Sequence, residues 1–464
     1  MPAASAAPVL EGWLTVSEQT VPVRARFASR YSLWIDPNGG SVQPGDVQML
    51  SLKVNERVVE VGPCRFLSVE DGEPPRLVST GGIQDFEKLF FHARTSRLDS
   101  AFLNLSLILG YKERISGAFR DFVSGLTYDL NVYTALLDQA DADSRDEPPA
   151  VRSVIQESVI SSVQPAFFSY LDGSASELGR IVKGVAEDVH EHHGYYFRRQ
   201  LWNLLLRSPI MARTNVKPRG YNGDSEMMRL IYQNDYQGDT TLGRLLHKYA
   251  VAKRGAQAVR NRRGWIAQMI HRQASERGPG APLLRVLSVA CGPALEVKDV
   301  LGTAQDCRGL HFSLFDQDQQ ALLEAGSLVA EIEARLGVEL SVDFIKESVR
   351  TMLVTRGLKD RWGQFNFIYS MGLFDYLTAP VAAAVLNKLY QLLTPGGELA
   401  IGNFFVTNPS RYYMEYWHDW KIIHRTEEDF RQMAEGLPDA EVSVLFDRTG
   451  IQMLLHVRKR VADD

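Results

Sequence analysis

The chain has 464 residues, 45% of them hydrophobic and 23% charged, a composition that suits ordinary globular protein in two or three domains and excludes wholesale disorder. Its 51 basic and 56 acidic side chains give a net charge of −5, which disfavours a nucleic acid or an anionic membrane as partner of the whole molecule. Cys64, Cys291 and Cys307 lie far apart in no metal-type spacing and read as reduced thiols of a cytoplasmic protein; no signal peptide and no membrane span are expected.

Residues 9–82 carry short β-type runs at 12–16, 21–27, 32–35, 47–54, 57–61 and 64–69. The turn clusters Asp36-Pro-Asn-Gly-Gly40 and Asp71-Gly-Glu-Pro-Pro75 separate some of them, and the spacing predicts a small antiparallel barrel or sandwich. From 83 to 280 the pattern turns helical. Leu98, Phe102, Leu105 and Leu109 keep intervals of three to four, as do Leu245, Tyr249, Ala252, Ala256 and Val259. Two breaks are expected, one in the acidic stretch 138–149 and one at 214–223, where Pro218, Gly220 and Gly223 preclude an ordinary helix. The apolar helices at 98–137 and 154–211 either line a tunnel or pack together, and periodicity does not separate the two. His190, His192 and His193 read as a surface cluster rather than a metal site, since their spacing puts only some of them on one helix face.

Beyond the linker 277–282, apolar strands alternate with helices as far as 461. Strands are predicted near 285–290, 311–315, 341–345, 365–370, 398–404, 441–446 and 451–458, which makes a doubly wound α/β domain of seven strands. The last two are separated only by Asp447-Arg-Thr-Gly450 and should form an antiparallel hairpin.

The first of these strands closes in Cys291-Gly292-Pro293-Ala294, a helix follows from about Leu295, and the second strand ends at Asp316. Such an order suits a nucleotide-type ligand. Glycine lets the backbone approach, a helix start offers free N–H groups, and a carboxylate roughly 20 residues on can accept ribose hydroxyls. One glycine in place of G-x-G-x-x-G disfavours NAD and FAD. Together with the segments 365–377 and Leu392-Leu-Thr-Pro-Gly-Gly-Glu-Leu399, this layout resembles the class I S-adenosylmethionine-dependent methyltransferases, a Rossmann-like family whose first strand usually ends in D-x-G-x-G-x-G. Here those positions hold Ser288, Ala290, Gly292 and Ala294, so three of the four depart from the pattern. The resemblance implies S-adenosyl-L-methionine as cofactor. The backbone of Ala290, Cys291 and Gly292 would face its methionine part, Asp316 its ribose, Glu347 with Ser348 its adenine, and Ser370, Met371 and Gly372 would flank its sulfonium, with Pro293 and Gln317 in the same cofactor site. Among Arg260-Asn-Arg-Arg263, an arginine such as Arg262 would pair with the methionine carboxylate; a solvated helix end is the competing reading.

The segment Lys217-Pro-Arg-Gly-Tyr-Asn-Gly-Asp224, running into Glu226-Met-Met-Arg-Leu-Ile-Tyr232, reads as a kinked lid over residues 214–232. The lid, with Asn408-Pro-Ser-Arg-Tyr-Tyr-Met-Glu415 and Asp419-Trp420, resembles a bacterial family of extracellular-factor or 3-hydroxypalmitic acid methyl ester biosynthesis proteins. That implies methyl transfer to a small molecule, the carboxylate of a hydroxy fatty acid foremost. An ionised carboxylate needs no general base, only positioning by an Arg, Lys or Tyr. Candidates for that role are Tyr221 first, then Arg219, Tyr232, Arg411 and Tyr412; Arg219 and Arg411 read equally as solvated loop charges, and Tyr232 more readily as a core helix residue. O- or N-methylation of another acceptor, with Asp375, Tyr369 or a histidine as base, is the alternative enzyme reading. A third is a non-catalytic nucleotide sensor: Arg26-Phe-Ala-Ser-Arg30 has the R-x-x-x-R spacing of PilZ domains, although their second signature is missing. A PilZ-like barrel that has lost its ligand and serves docking or dimerisation is the preferred expectation.

Overall fold

The computed structural model describes residues 9–16, 19–37, 44–54, 57–68, 75–82, 84–87, 89–90, 110–278 and 280–461. The run Leu98 to Leu109 and most of the turns at 36–40 and 71–75 lie outside them. The chain forms two compact units, Met1–Arg114 and Ile115–Asp464.

The first unit is a closed six-stranded antiparallel barrel in the order β1 (Val9–Val16), β2 (Gln19–Ser29), β3 (Ser32–Pro37), β6 (Arg76–Ser79), β5 (Arg57–Leu67), β4 (Gly45–Val54). Alternate residues turn inward, among them Leu10, Leu14, Val23, Ala25, Leu33, Ile35, Leu50, Leu52, Phe66 and Leu77, so the period of two supplies the core. Closure needs β1 and β4 to touch. At Gly12 a Cβ would lie 2.5 Å from the Ser51 carbonyl oxygen, so only glycine permits the approach. The two runs expected at 57–61 and 64–69 are one strand, β5, which carries a positive φ of 96° at Gly62 beside a register shift against β4. The four-residue β6 was not expected.

In the second unit the helices Gly117–Asp143 and Pro149–Val182 flank the acidic break, and Pro209–Val216 and Ser225–Gln233 flank the break at the lid. Lys217 ends the former in the left-handed region at φ 50°, while the Asp224 side chain caps the latter by accepting from Met227 N at 2.8 Å. Arg213 grips the same Asp224 carboxylate through Nε and Nη2, at 2.8 Å each, so the lid is anchored at both ends. The histidine cluster is not a surface feature: His190 and His193 are buried, with His190 Nδ1 2.9 Å from the Tyr416 hydroxyl and His193 Nδ1 2.8 Å from the Val189 carbonyl oxygen. Their helix, Glu187–Gln200, packs against Arg411–Trp417 through Phe197, Tyr416 and Trp417.

The α/β sheet has the order β12-β13-β11-β10-β7-β8-β9, from β7 (Leu284–Val289), β8 (Leu310–Asp316), β9 (Val342–Lys346), β10 (Phe365–Ser370), β11 (Leu393–Phe404), β12 (Ala440–Phe446) and β13 (Gln452–Lys459). All pairings are parallel except those of β13, which runs against both β11 and β12, as the short turn between the last two strands requires. Every residue of β8 is buried, the signature of a strand covered on both faces. Between β7 and β10 the winding reverses, which opens a crevice beyond their carboxyl ends.

Candidate active site

The crevice is a cavity of about 320 Å3. Its floor is the turn after β7. Ala290, Gly292 and Ala294 all lie in the left-handed region, at φ 56°, 55° and 48°. These are three of the positions where the methyltransferase pattern has glycine, and the backbone explains the preference: an L-residue there costs roughly 1–2 kcal/mol. Two alanines tolerate that strain because the turn is tied down on both sides. The Cys291 amide donates to the Phe315 carbonyl at 3.0 Å, and the Gly292 amide donates to Asp316 Oδ2 at 2.9 Å.

Asp316 lines the cavity and its carboxylate is held twice, since Oδ1 accepts from the Asp318 amide at 2.9 Å. Burial pushes its pKa above the ordinary aspartate value, and the backbone N–H groups oppose that shift without cancelling it. Asp318 caps the helix Gln319–Leu336 by accepting from Gln320 N at 2.9 Å. It also accepts from Arg219 Nη1 at 2.9 Å and from the Tyr221 hydroxyl at 3.1 Å. Burial alone would raise its pKa, yet these hydrogen bonds bring it below the usual value. Arg219 reaches on to Glu324 Oε1 at 2.8 Å, so it is a strut between lid and helix, not a solvated charge.

The lid closes one side with Tyr221, Asn222, Gly223 and Ser225, and further tethers fix it. Lys217 pairs with Asp419 at 2.5 Å, the Asn222 amide donates to the Asp419 carbonyl at 2.6 Å, and the Tyr376 hydroxyl donates to the Asn222 carbonyl at 3.0 Å while accepting from Trp420 Nε1 at 2.8 Å. Lys217, Asp419 and Trp420, all within the quoted family-like segments, are therefore tethers of the lid.

A third wall comes from the helix Arg254–Ser275, which continues 12 residues past the basic cluster 260–263, so no helix end lies there. The three arginines of that cluster diverge. Arg260 donates to the carbonyls of Ile231 and Val251, and Arg263 forms a two-point ion pair with Asp299. Arg262, 5% exposed, lines the cavity with Nη2 3.6 Å from the Met228 sulfur and with Nε lacking any partner. The Asp375 carboxylate and the Tyr232 phenol both feel its charge, and Nε is the donor left over.

Of the residues singled out from sequence, Tyr221, Tyr232, Arg262, Ala290, Cys291, Gly292, Pro293, Asp316, Gln317, Met371 and Gly372 line this one cavity. Five others do not. Ser370 is fully buried and donates to the Val289 carbonyl at 2.9 Å, bracing the strand end. Glu347 pairs with Arg361, and Ser348 caps the helix Val349–Val354 by accepting from Thr351 N. Arg411 is bonded to Glu415 at 2.7 Å, and Tyr412 stacks on His190 with ring centroids 5.6 Å apart. Asp375, weighed as a base, is buried behind the wall, where it accepts from Phe404 N and burial raises its pKa to about 6. Tyr369, weighed as a base beside Asp375, does line the cavity, where its hydroxyl is bonded to Glu296; Glu296, Tyr376 and Met228 line it too and were not assigned to it. Sequence spacing offered no signal for Glu296, whereas Tyr376 and Met228 sat inside the quoted motifs.

No protein-family model matches the chain, and no curated protein matches it by sequence. Similar solved structures include a possible exported protein of Bordetella parapertussis, 18% identical over 64% of this chain and 97% of that one, with a TM-score of 0.40. Magnesium protoporphyrin IX methyltransferase of Synechocystis with bound S-adenosylmethionine is 12% identical over 53% and 96% of the two chains, at 0.35. An O-methyltransferase family 2 protein of Planctomyces limnophilus in complex with apigenin is 16% identical over 64% and 96%, at 0.33. At these identities and scores the likenesses assign no activity to the chain, and the functional reading rests on the cavity itself.

Proposed function

We propose that the chain is an S-adenosylmethionine-dependent methyltransferase that esterifies a small carboxylic acid. The observation that carries the reading is the left-handed turn at 290–294, bonded through the Gly292 amide to the Asp316 carboxylate at the switch point of the sheet. The residues fit the cofactor. Asp316 suits a ribose, the backbone of 290–292 suits the close approach of an amino-acid end, and Arg262 has the unmet donor for its carboxylate. When bound, S-adenosylmethionine supplies an electrophilic methyl group; the lid excludes water and the walls hold the acceptor in line.

The acceptor reading is supported by what the walls lack. Among the described residues no histidine or lysine lines the cavity, and its acidic and phenolic groups are largely engaged: Asp316 with two amides, Glu296 with Tyr369, Tyr221 with Asp318, Tyr376 with Trp420 and Asn222. Such a site favours an acceptor that arrives already ionised, as a carboxylate does at neutral pH. A cavity of about 320 Å3 sits at the lower end of small-molecule sites. No residue of the helices Gly117–Asp143 or Pro149–Val182 lines it, so a long acyl tail would lie outside. For the barrel we propose a PilZ-like module that no longer grips a nucleotide; Arg30, bonded to Asp85 at 2.9 Å, supports this.

Calorimetry with S-adenosylhomocysteine tests the cofactor. Binding by the parent and a loss of about 10-fold or more in Asp316→Ala are expected, and absence of binding by the parent sinks the reading. Acceptor screening by mass spectrometry tests the ester, whose methyl group mild alkali removes; an alkali-stable product would point to an amine or ether acceptor instead.

A further inference from the structure

One buried charge in the cavity has no task in the reading above. Glu296, in the first turn of the helix Leu295–Val300, is 8% exposed and lines the cavity. Its Oε1 accepts a hydrogen bond from the Tyr369 hydroxyl at 2.7 Å. Among the described residues no lysine, arginine or histidine forms an ion pair with it, and Arg263, whose charge reaches it, is itself held by Asp299. A carboxylate taken out of water with one neutral partner is short of a cation. Arg262, on the helix packed beside it, is a buried cation whose Nε has no acceptor, while the Asp375 carboxylate lies within reach of its charge. Tyr232 senses both charges, since Arg262 and Glu296 act on its phenol with opposite sign.

The strand position where the methyltransferase pattern has an acid holds Ser288 here. Tyr369 is its register partner across β7 and β10, and the Tyr369 hydroxyl donates to Glu296. A carboxylate from the helix is thus held by a tyrosine near the carboxyl end of β10. We infer that Glu296 and Arg262 form a zwitterion clamp for the amino-acid end of the cofactor, Glu296 taking its ammonium group and Arg262 its carboxylate, with Tyr369 as the positioning residue. This inference rests on the S-adenosylmethionine reading. It assigns Glu296 to ligand recognition rather than proton abstraction.

The test compares two ligands by calorimetry: S-adenosylhomocysteine and its analogue lacking the α-amino group. One charge-assisted hydrogen bond is worth roughly 1.5–3 kcal/mol, so the parent should bind the amino ligand about 10- to 100-fold more tightly. Glu296→Gln keeps the acceptor for Tyr369 and should lose that discrimination, weakening the amino ligand by the same factor and leaving the analogue unchanged. Tyr369→Phe should move in the same direction by less. Equal binding of both ligands by the parent overturns the clamp without recourse to any variant. So does a Glu296→Gln protein that retains the parent's preference or loses both ligands alike. If the parent binds the analogue and not the amino ligand, the clamp is wrong while the cofactor reading stands; if it binds neither, the cofactor reading itself has failed.

Discussion

Replacing Arg219 by methionine removes the strut that joins the lid to the helix Gln319–Leu336 while keeping most of the side-chain bulk. The guanidinium is 19% exposed and its partners Asp318 and Glu324 are 15% and 26% exposed, so these are partly buried pairs, screened less than surface ones. Each is worth about 1 kcal/mol, between the near-zero median of exposed pairs and the larger value of a desolvated charged hydrogen bond. Losing both favours the open lid by about 2 kcal/mol, roughly 30-fold. The remaining tethers, Lys217 to Asp419 and Tyr376 to Asn222, are untouched. Since lid residues form one wall of the cavity, dissociation of S-adenosylhomocysteine, followed by stopped-flow displacement, should be some 10- to 30-fold faster in Arg219→Met. Added salt should speed release from the parent and have far less effect on the variant. A rate within twofold of the parent, with an unchanged melting temperature, would refute the strut as a determinant of ligand release.

Ala290→Gly and Ala294→Gly should each raise stability by about 0.5–1 kcal/mol in denaturant melts, because relief of left-handed strain exceeds the added freedom of the unfolded chain; destabilisation would show that the strain has been overestimated. Glu296 has its pKa raised by burial, so the folded state holds that proton more tightly than the unfolded one, and its contribution to stability falls as pH rises through the window between the two values. The ligand-free Glu296→Gln protein should therefore gain stability relative to the parent across that window, even as it binds the amino ligand less well; parallel stability–pH curves would contradict this. Gly12→Ala should cost about 2–4 kcal/mol in the barrel, since its Cβ would sit 2.5 Å from the Ser51 oxygen, and a melt indistinguishable from the parent would mean that β1 and β4 part without penalty.

All seven strands of the large sheet were legible because each is a short apolar run between turn residues. The start of β11 was misread: Pro395, Gly396 and Gly397 look like a turn, yet the strand begins at Leu393 and absorbs them where the pairing with β10 shifts register. In the site, Gly292 and Asp316 could be found because a strand, a turn and the next strand fix their separation along the chain. Glu347, Ser348, Arg411 and Tyr412 show the limit of that logic. Nearness to a motif does not set the direction of a side chain, and these four turn to an arginine, a helix end, a glutamate and a histidine ring instead. Glu296 and Arg262 line the same void only because two helices from different parts of the chain border it, which no local spacing encodes.

The helix Arg254–Ser275 carries Arg262 into that void from upstream of the first strand of the sheet, and the lid lies further upstream still. A chain cut at residue 281 would keep every strand, the glycine turn and Asp316, and would pass any inspection as an intact α/β fold. It would also have lost two walls and the guanidinium. The cavity is therefore built from a longer stretch of chain than the sheet that carries its floor, and excising the sheet alone would leave the floor without the groups that face it.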